Sequence, residues 1–326
     1  MGMRKRNFKV ALTLSLGLAL LAGGTNTTLA LEKNNSKTSL EQKATNANIE
    51  KVQLDNGLII NSKEMGNGEA TIVFDTGYGE SLDNFSYIQE QLSKTAKTLS
   101  YDRAGLGGSS DAGNLAPLSE ENKEILMNGG TIDYNENDFN GLTKTAKDKA
   151  INLYKLLKAK NIPGPYILVG HSLGGHTAIE FAKMYTEEVE GVVFLDGSAR
   201  SVTGEGYRFF NEFVPGMGDD FIAGYTKADG TLDDVLMSEN QVKDDKNALR
   251  NTPLFYIECD PYAMAQGPMG DAFAKLKTNQ IADILSMSDD TQHIQLKGAT
   301  HYVHIDKPEE TLKAITEFVD YCKAKN

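Results

Sequence analysis

Along the chain, short apolar runs alternate with stretches in which apolar residues recur every three or four positions. The first pattern reads as buried strand and the second as amphipathic helix. Ile49–Leu54 and Leu58–Met65 flank Asp55-Asn56-Gly57, a turn sequence that predicts an antiparallel hairpin. Further strands are expected over Ala70–Phe74, Lys97–Tyr101, the run Tyr166–Gly170, Val189–Leu195, Pro253–Ile257 and Gln292–Leu296. Between them the helical period runs through Leu82–Ser93, Lys144–Ala159, Thr177–Tyr185, Asp271–Leu285 and Pro308–Tyr321. Asp111–Asn140 is polar and predicts an irregular connection. Strands alternating with helices imply an α/β fold with a mostly parallel central sheet, helices on both faces and the N-terminal antiparallel hairpin at its start.

The first 48 residues follow another pattern. Arg4, Lys5, Arg6 and Lys9 precede the apolar run Val10–Ala22, which is short for a membrane span, and Thr28-Leu29-Ala30 offers small residues for cleavage. Residues 1–30 are therefore expected to be a signal peptide cut after Ala30, an uncleaved anchor being the alternative. Residues 31–48 carry almost no large apolar side chain and read as a disordered linker. Residues 49–326 suit one α/β domain. The expected location is secreted or extracytoplasmic, with retention at the cell surface left open and no stable membrane span after cleavage.

Charge narrows the partners. The formal charge of −12 becomes −16 without residues 1–30, which hold four cations and no acid. So acidic a surface disfavours nucleic acid and anionic membranes. Cys259 and Cys322 are expected at opposite edges of the sheet, roughly 20 Å apart on a rise of ~1.5 Å per helical residue, and hence unpaired.

The candidate chemistry centres on Gly170-His171-Ser172-Leu173-Gly174, which lies between a predicted strand and a predicted helix. In that context G-x-S-x-G forms a sharp turn that lifts the serine Oγ above the sheet at a helix start. A serine attacks only when a neutral imidazole takes its proton. His171 and His176 flank the turn too closely to aim at Ser172 Oγ, and His293 lies on a strand. His301 and His304 follow the last strand. A carboxylate at a strand end must orient the base, and Asp196 and Asp260 both stand there. No H-E-x-x-H zinc motif, P-loop or dinucleotide fingerprint is present, so neither a metal nor a cofactor is expected.

Four motifs in order carry a resemblance: Thr76-Gly77-Tyr78-Gly79, Asp102–Ser109, the Ser172 turn, and Gly298-Ala299-Thr300-His301-Tyr302. With them, residues 49–326 resemble an α/β-hydrolase. The resemblance implies Ser172 as nucleophile, His301 as base, and backbone N–H groups of Leu173 and Tyr78 as the oxyanion hole. For the acid it leaves Asp196, preferred because Glu258-Cys259-Asp260-Pro261 lacks the glycine usual at the later position, and Asp260 as the alternative. Thr76 replaces the histidine that ordinarily braces the oxyanion loop. Ser172 also argues against family dehalogenases and epoxide hydrolases that use Asp at the turn.

Residues 197–251 lack strand patterning and read as a helical cap insertion, which must leave and rejoin the sheet at its carboxyl edge. They carry Tyr207, Phe209, Phe210 and Phe213 close together. Tyr78, Phe209, Phe210 and Phe213 are the candidate substrate-binding residues, with core packing as the alternative role of the three phenylalanines. The function expected is a secreted serine hydrolase cleaving carboxylic esters of small-to-medium apolar substrates. An amidase or aminopeptidase of the same fold, or a non-catalytic ligand-binding member, are the alternatives.

Overall fold

The computed structural model describes residues 48–225, 229–245, 247 and 249–325. The expected signal peptide and all of the expected linker except Asn48 lie outside the described residues. An eight-stranded sheet runs through the molecule: β1 (Asn48–Gln53), β2 (Ile59–Met65), β3 (Thr71–Asp75), β4 (Lys97–Tyr101), β5 (Tyr166–His171), β6 (Val189–Leu195), β7 (Leu254–Glu258) and β8 (Thr291–Gln295). Their spatial order is β1-β2-β4-β3-β5-β6-β7-β8. The β1–β2 hairpin is antiparallel and β2 joins β4 antiparallel, while all later pairs are parallel.

The helices described are α1 (Ser86–Leu92), α2 (Glu120–Met127), α3 (Ala146–Ala159), α4 (Gly174–Met184), α5 (Val202–Phe213), α6 (Met217–Tyr225), α7 (Leu232–Lys243), α8 (Pro261–Met264), α9 (Gly267–Leu285), α10 (Val303–Asp306) and α11 (Pro308–Lys325). Alternate residues of the central strands feed two cores. Val73, Leu99, Leu168 and Val192 pack with Leu153, Leu156 and Phe181 of α3 and α4 on one face. Ile72, Ile167, Val169 and Val193 pack with Ile88 and Phe318 of α1 and α11 on the other. A strand buried on both faces must be apolar throughout, which is why β5 and β6 read as unbroken hydrophobic runs.

Two departures from the sequence expectation have local causes. Asp111–Asn140 contains α2, whose N-terminus is capped by the Ser119 side chain accepting from Asn122 N–H. Its apolar residues crowd its last turn, where Leu126 is buried, so no helical stripe marked it. The stretch after β8 that carries His301 and His304, which shows no helical period, runs at its end into the short helix α10. Cys259 and Cys322 are both buried and unpaired.

Residues 197–251 hold α5, α6 and α7. In α5, Val202, Gly206, Phe209, Phe210 and Phe213 recur at i, i+4, i+7, i+8 and i+11, which puts them on one face. The order reverses direction between β3 and β5, and ligands of open α/β sheets bind at such a switch point, beyond the carboxyl ends of the strands.

Candidate active site

β5 ends at His171 and α4 begins at Gly174, so Ser172 and Leu173 must make the whole turn between them. Ser172 takes φ +52°, a left-handed conformation that costs a residue with a Cβ roughly 1–2 kcal/mol. Its neighbours hold it there. Ser172 N–H donates to Leu195 O at 3.3 Å, and Ser172 O accepts from Gly175 and Ser198 N–H at 3.0 and 2.9 Å. A Cβ on Gly170 would lie 2.7 Å from the Gly174 carbonyl carbon, and one on Gly174 would lie 2.3 Å from Asp75 O. Only glycine fits at those two positions.

One strand over, Asp196 follows β6 with φ +45°. Its Oδ2 accepts from His301 Nδ1 at 2.6 Å, and its Oδ1 accepts from Lys277 Nζ at 2.8 Å and Cys259 N–H at 3.2 Å. A carboxylate can only accept, so His301 carries its proton on Nδ1 and leaves Nε2 basic. Burial alone would raise the Asp196 carboxyl, but the Lys277 and His301 partners hold it far below the usual range. Burial also pushes His301 below the ordinary imidazole value, against the opposing pull of Asp196. Asp260 stands elsewhere. It caps α8, its Oδ1 accepting from Tyr262 N–H at 3.0 Å and its Oδ2 from Gly298 N–H at 2.9 Å, and so braces the loop that carries His301.

The loop after β3 is held from below. Arg103 donates to Asp75 Oδ1 and Thr76 O at 2.5 Å, to Gly77 O at 2.6 Å, and to Asp229. Asp229 in turn accepts from the Gly79 backbone. From the other side, Glu80 Oε2 accepts from Gly77 N–H at 2.7 Å and from His171 Nδ1 at 3.1 Å. His171 Nε2 donates to His301 O at 3.1 Å. Because both partners of His171 are acceptors, both of its ring nitrogens donate and the ring is an imidazolium. Burial opposes that charge, but Glu80 outweighs it and raises His171, while the Glu80 carboxyl, despite its own burial, is lowered to about 2. This network replaces the bracing side chain that Thr76 does not supply.

The other histidines have structural partners. His176 Nε2 donates to Ala199 O at 2.9 Å, and burial pushes the ring down to about 4. His293 donates to Glu258 at 3.0 Å. His304 is buried and donates to Asn84 Oδ1 at 3.3 Å, its ring centroid 4.7 Å from that of His171.

Residues 70–288 match the sequence profile described as the alpha/beta hydrolase fold. The chain belongs to the α/β-hydrolase family. It is 25% identical over 251 residues to the uncharacterised YqjL of Bacillus subtilis, covering 74% of this chain and 81% of that one. It is also 25% identical over 293 residues to 2-(acetamidomethylene)succinate hydrolase of Mesorhizobium japonicum, covering 81% and 92%. A thermophilic esterase of Thermogutta terrifontis shares the fold at TM-score 0.53 and 15% identity, over 85% and 99%.

In this hydrolase a cavity has Ser172, Asp196 and His301 among its lining residues. Phe209, Phe210 and Phe221 line it from the cap segment, Phe273 and Lys277 from α9. Of the four candidate substrate-binding residues, Phe209 and Phe210 line the cavity. Phe213 and Tyr78 pack around the same aromatic cluster instead, Phe213 with its ring 5.3 Å from Phe209. Leu173 is buried in that cluster and leads into the N-terminus of α4.

Sequence reasoning missed Phe221, Phe273, Glu80 and Lys277. A signal for Lys277 existed: it stands at i+4 from Phe273 and i−4 from Ile281, in the middle of the apolar face of α9.

Proposed function

We propose that this protein is a secreted serine hydrolase that cleaves carboxylic esters of small-to-medium apolar acids or alcohols through an acyl-enzyme on Ser172. The observation that carries the reading is a strained serine on an elbow, sharing one aromatic-lined cavity with a His301–Asp196 pair. In the proposed reaction His301 Nε2 takes the Ser172 Oγ proton as Oγ attacks the ester carbonyl. The tetrahedral oxyanion is held by the backbone N–H groups of Leu173 and Tyr78. His301 then returns the proton to the departing alcohol, and water repeats the steps in reverse order to free Ser172. Asp196 holds the imidazole in the Nδ1–H tautomer and balances its charge.

Labelling the full chain with a fluorophosphonate probe tests the reading directly. An adduct on Ser172, lost in Ser172→Ala, is expected. Folded protein that takes no label would overturn acyl transfer in favour of a non-catalytic binding role. A second reading, amide hydrolysis, is favoured by the relative named 2-(acetamidomethylene)succinate hydrolase. Comparing p-nitrophenyl esters with aminoacyl anilides separates the two.

The two strand-end carboxylates give a ranked prediction. Asp196→Asn should lower kcat about 10³–10⁴-fold, because an amide can donate to Nδ1 and favour the wrong tautomer. Asp260→Asn should change kcat less than about tenfold and cost about 1 kcal/mol, since it alters the α8 cap and the Gly298 brace but no hydrogen bond to the His301 ring. An inverted ranking in steady-state assays would move the acid to Asp260.

The cavity wall gives another. Phe209→Leu and Phe210→Leu should shift the kcat/KM ratio between short and long acyl chains, whereas Phe213→Leu should change stability alone. If all three leave chain-length preference unchanged, the aromatic cluster is packing and the substrate lies elsewhere.

A further inference from the structure

Lys277 stands inside the Ser172 cavity, yet the acyl-transfer steps above do not use it. It is 6% exposed, and its ammonium reaches Asp196 Oδ1 at 2.8 Å and Tyr256 OH at 3.3 Å. An ammonium in such apolar surroundings discharges unless a counter-charge holds it. Asp196 is that counter-charge, and it is the same carboxylate that holds His301. Resting on the roles proposed for Ser172, His301 and Asp196, we propose that Lys277 is a positioning residue that sets the protonation of His301. By taking the second oxygen of Asp196 it keeps the imidazole neutral, and hydrolysis running, into acidic solution.

The charges around His301 give the sign. From β6 comes one carboxylate, Asp196, and from α9 one cation, Lys277. From β5 comes a second cation, the His171 imidazolium, its ring 4.8 Å from that of His301 and its charge offset by Glu80 of the loop after β3. His304 of α10 is held neutral by burial. Tyr256 of β7, Cys259 after it and the neighbouring Tyr302 all keep their protons, each pushed up by burial. In a pair without Lys277 the full carboxylate charge would stabilise a protonated His301. Here that charge is shared before the proton arrives, and a protonated His301 would face two cations. Burial and His171 push His301 the same way, so removing Lys277 relaxes one of several influences. The direction remains fixed: without Lys277, His301 binds its proton at higher pH.

The test is the pH dependence of kcat/KM for p-nitrophenyl butyrate with the full chain, its Lys277→Met variant and its Lys277→Arg variant. Lys277→Met keeps the volume and the apolar stem and drops the charge. It should lose about tenfold in kcat/KM relative to wild type at about pH 5 and stay within about threefold of it at about pH 8. Lys277→Arg, which keeps the charge, should follow the wild-type acid limb. A purely structural lysine would depress the rate by one factor at every pH, and that result, or an unchanged profile in Lys277→Met, overturns the proposal. Should Lys277→Met not fold, Lys277→Gln takes its place. Ring-nitrogen NMR of ¹⁵N-histidine-labelled protein should show His301 half-titrating at higher pH in the charge-free variant than in the wild type, and an unchanged or lower midpoint overturns the proposal. The NMR readout needs no turnover. A failure of the Ser172 reading appears separately, as ester hydrolysis that survives Ser172→Ala.

Discussion

Ser172→Ala is expected to lower kcat by roughly 10⁴–10⁶-fold, His301→Ala to do the same, and the double variant to be little worse than either. In the proposed reaction the two residues act in one proton transfer: without the imidazole the hydroxyl is not a nucleophile, and without the hydroxyl the imidazole has nothing to deprotonate. The residual rate over the uncatalysed reaction would come from the backbone donors and the aromatic cavity, which neither substitution touches. Steady-state kinetics on the three variants checks this. Losses that add would separate the residues into independent roles and remove His301 as the base. Thermal unfolding provides the control. Ser172→Ala leaves the backbone hydrogen bonds and the left-handed strain at that position in place, so its melting temperature should stay near that of the wild type.

Arg103→Met is expected to destabilise the fold by about 3–5 kcal/mol, a fall of roughly 10 °C in melting temperature for a domain of this size. Arg103 and Asp229 are buried, as is Asp75, and the guanidinium joins both carboxylates while also donating to the carbonyls of Thr76 and Gly77. Methionine fills the volume but takes the guanidinium from both carboxylates in a low-dielectric interior, leaving Asp75 the Tyr101 hydroxyl and Asp229 the Lys149 ammonium 3.5 Å away. The loop whose backbone is proposed to hold the oxyanion would also lose its support, so kcat should fall as well. Arg103→Lys, which puts one charge centre in place of a planar fork, should keep only part of the stability that Arg103→Met loses. Urea denaturation of Arg103→Met and Arg103→Lys checks the ranking. Equal stability of Arg103→Met and wild type would mean that the cluster is not a net anchor.

Much of this molecule is legible in its sequence. A strand buried on both faces has to be apolar throughout, and a covering helix has to be apolar on one face. The strand and helix patterns therefore located all eight strands of the sheet, each with its ends displaced by no more than a residue. The Ser172 elbow was legible for a different reason: a turn this tight excludes a Cβ at Gly170 and Gly174, so its geometry is written directly into residue type. His301 was singled out by its place after the last strand together with the family resemblance.

What only the tertiary structure decided were pairings between distant side chains. Asp196 and Asp260 both follow strands, and the glycine missing before Asp260 favours Asp196 without showing which carboxylate faces His301. Asp260 spends its oxygens on the backbone of Tyr262 and Gly298, which leaves Asp196 as the partner of the imidazole. The expected bracing histidine was absent from the position of Thr76, and the network that replaces it draws on Arg103, Asp229, Glu80 and His171, residues far apart in sequence. Lys277 is the plainest case. A lysine on the apolar face of a helix is a local contradiction, and its resolution, the Asp196 carboxylate 81 positions earlier, exists only once β6 and α9 are packed together. Periodicity reports which face of an element meets the core. It carries no information about which charge on that face meets which, because hydrophobic burial is non-directional while ion pairs and hydrogen bonds depend on where individual atoms end up.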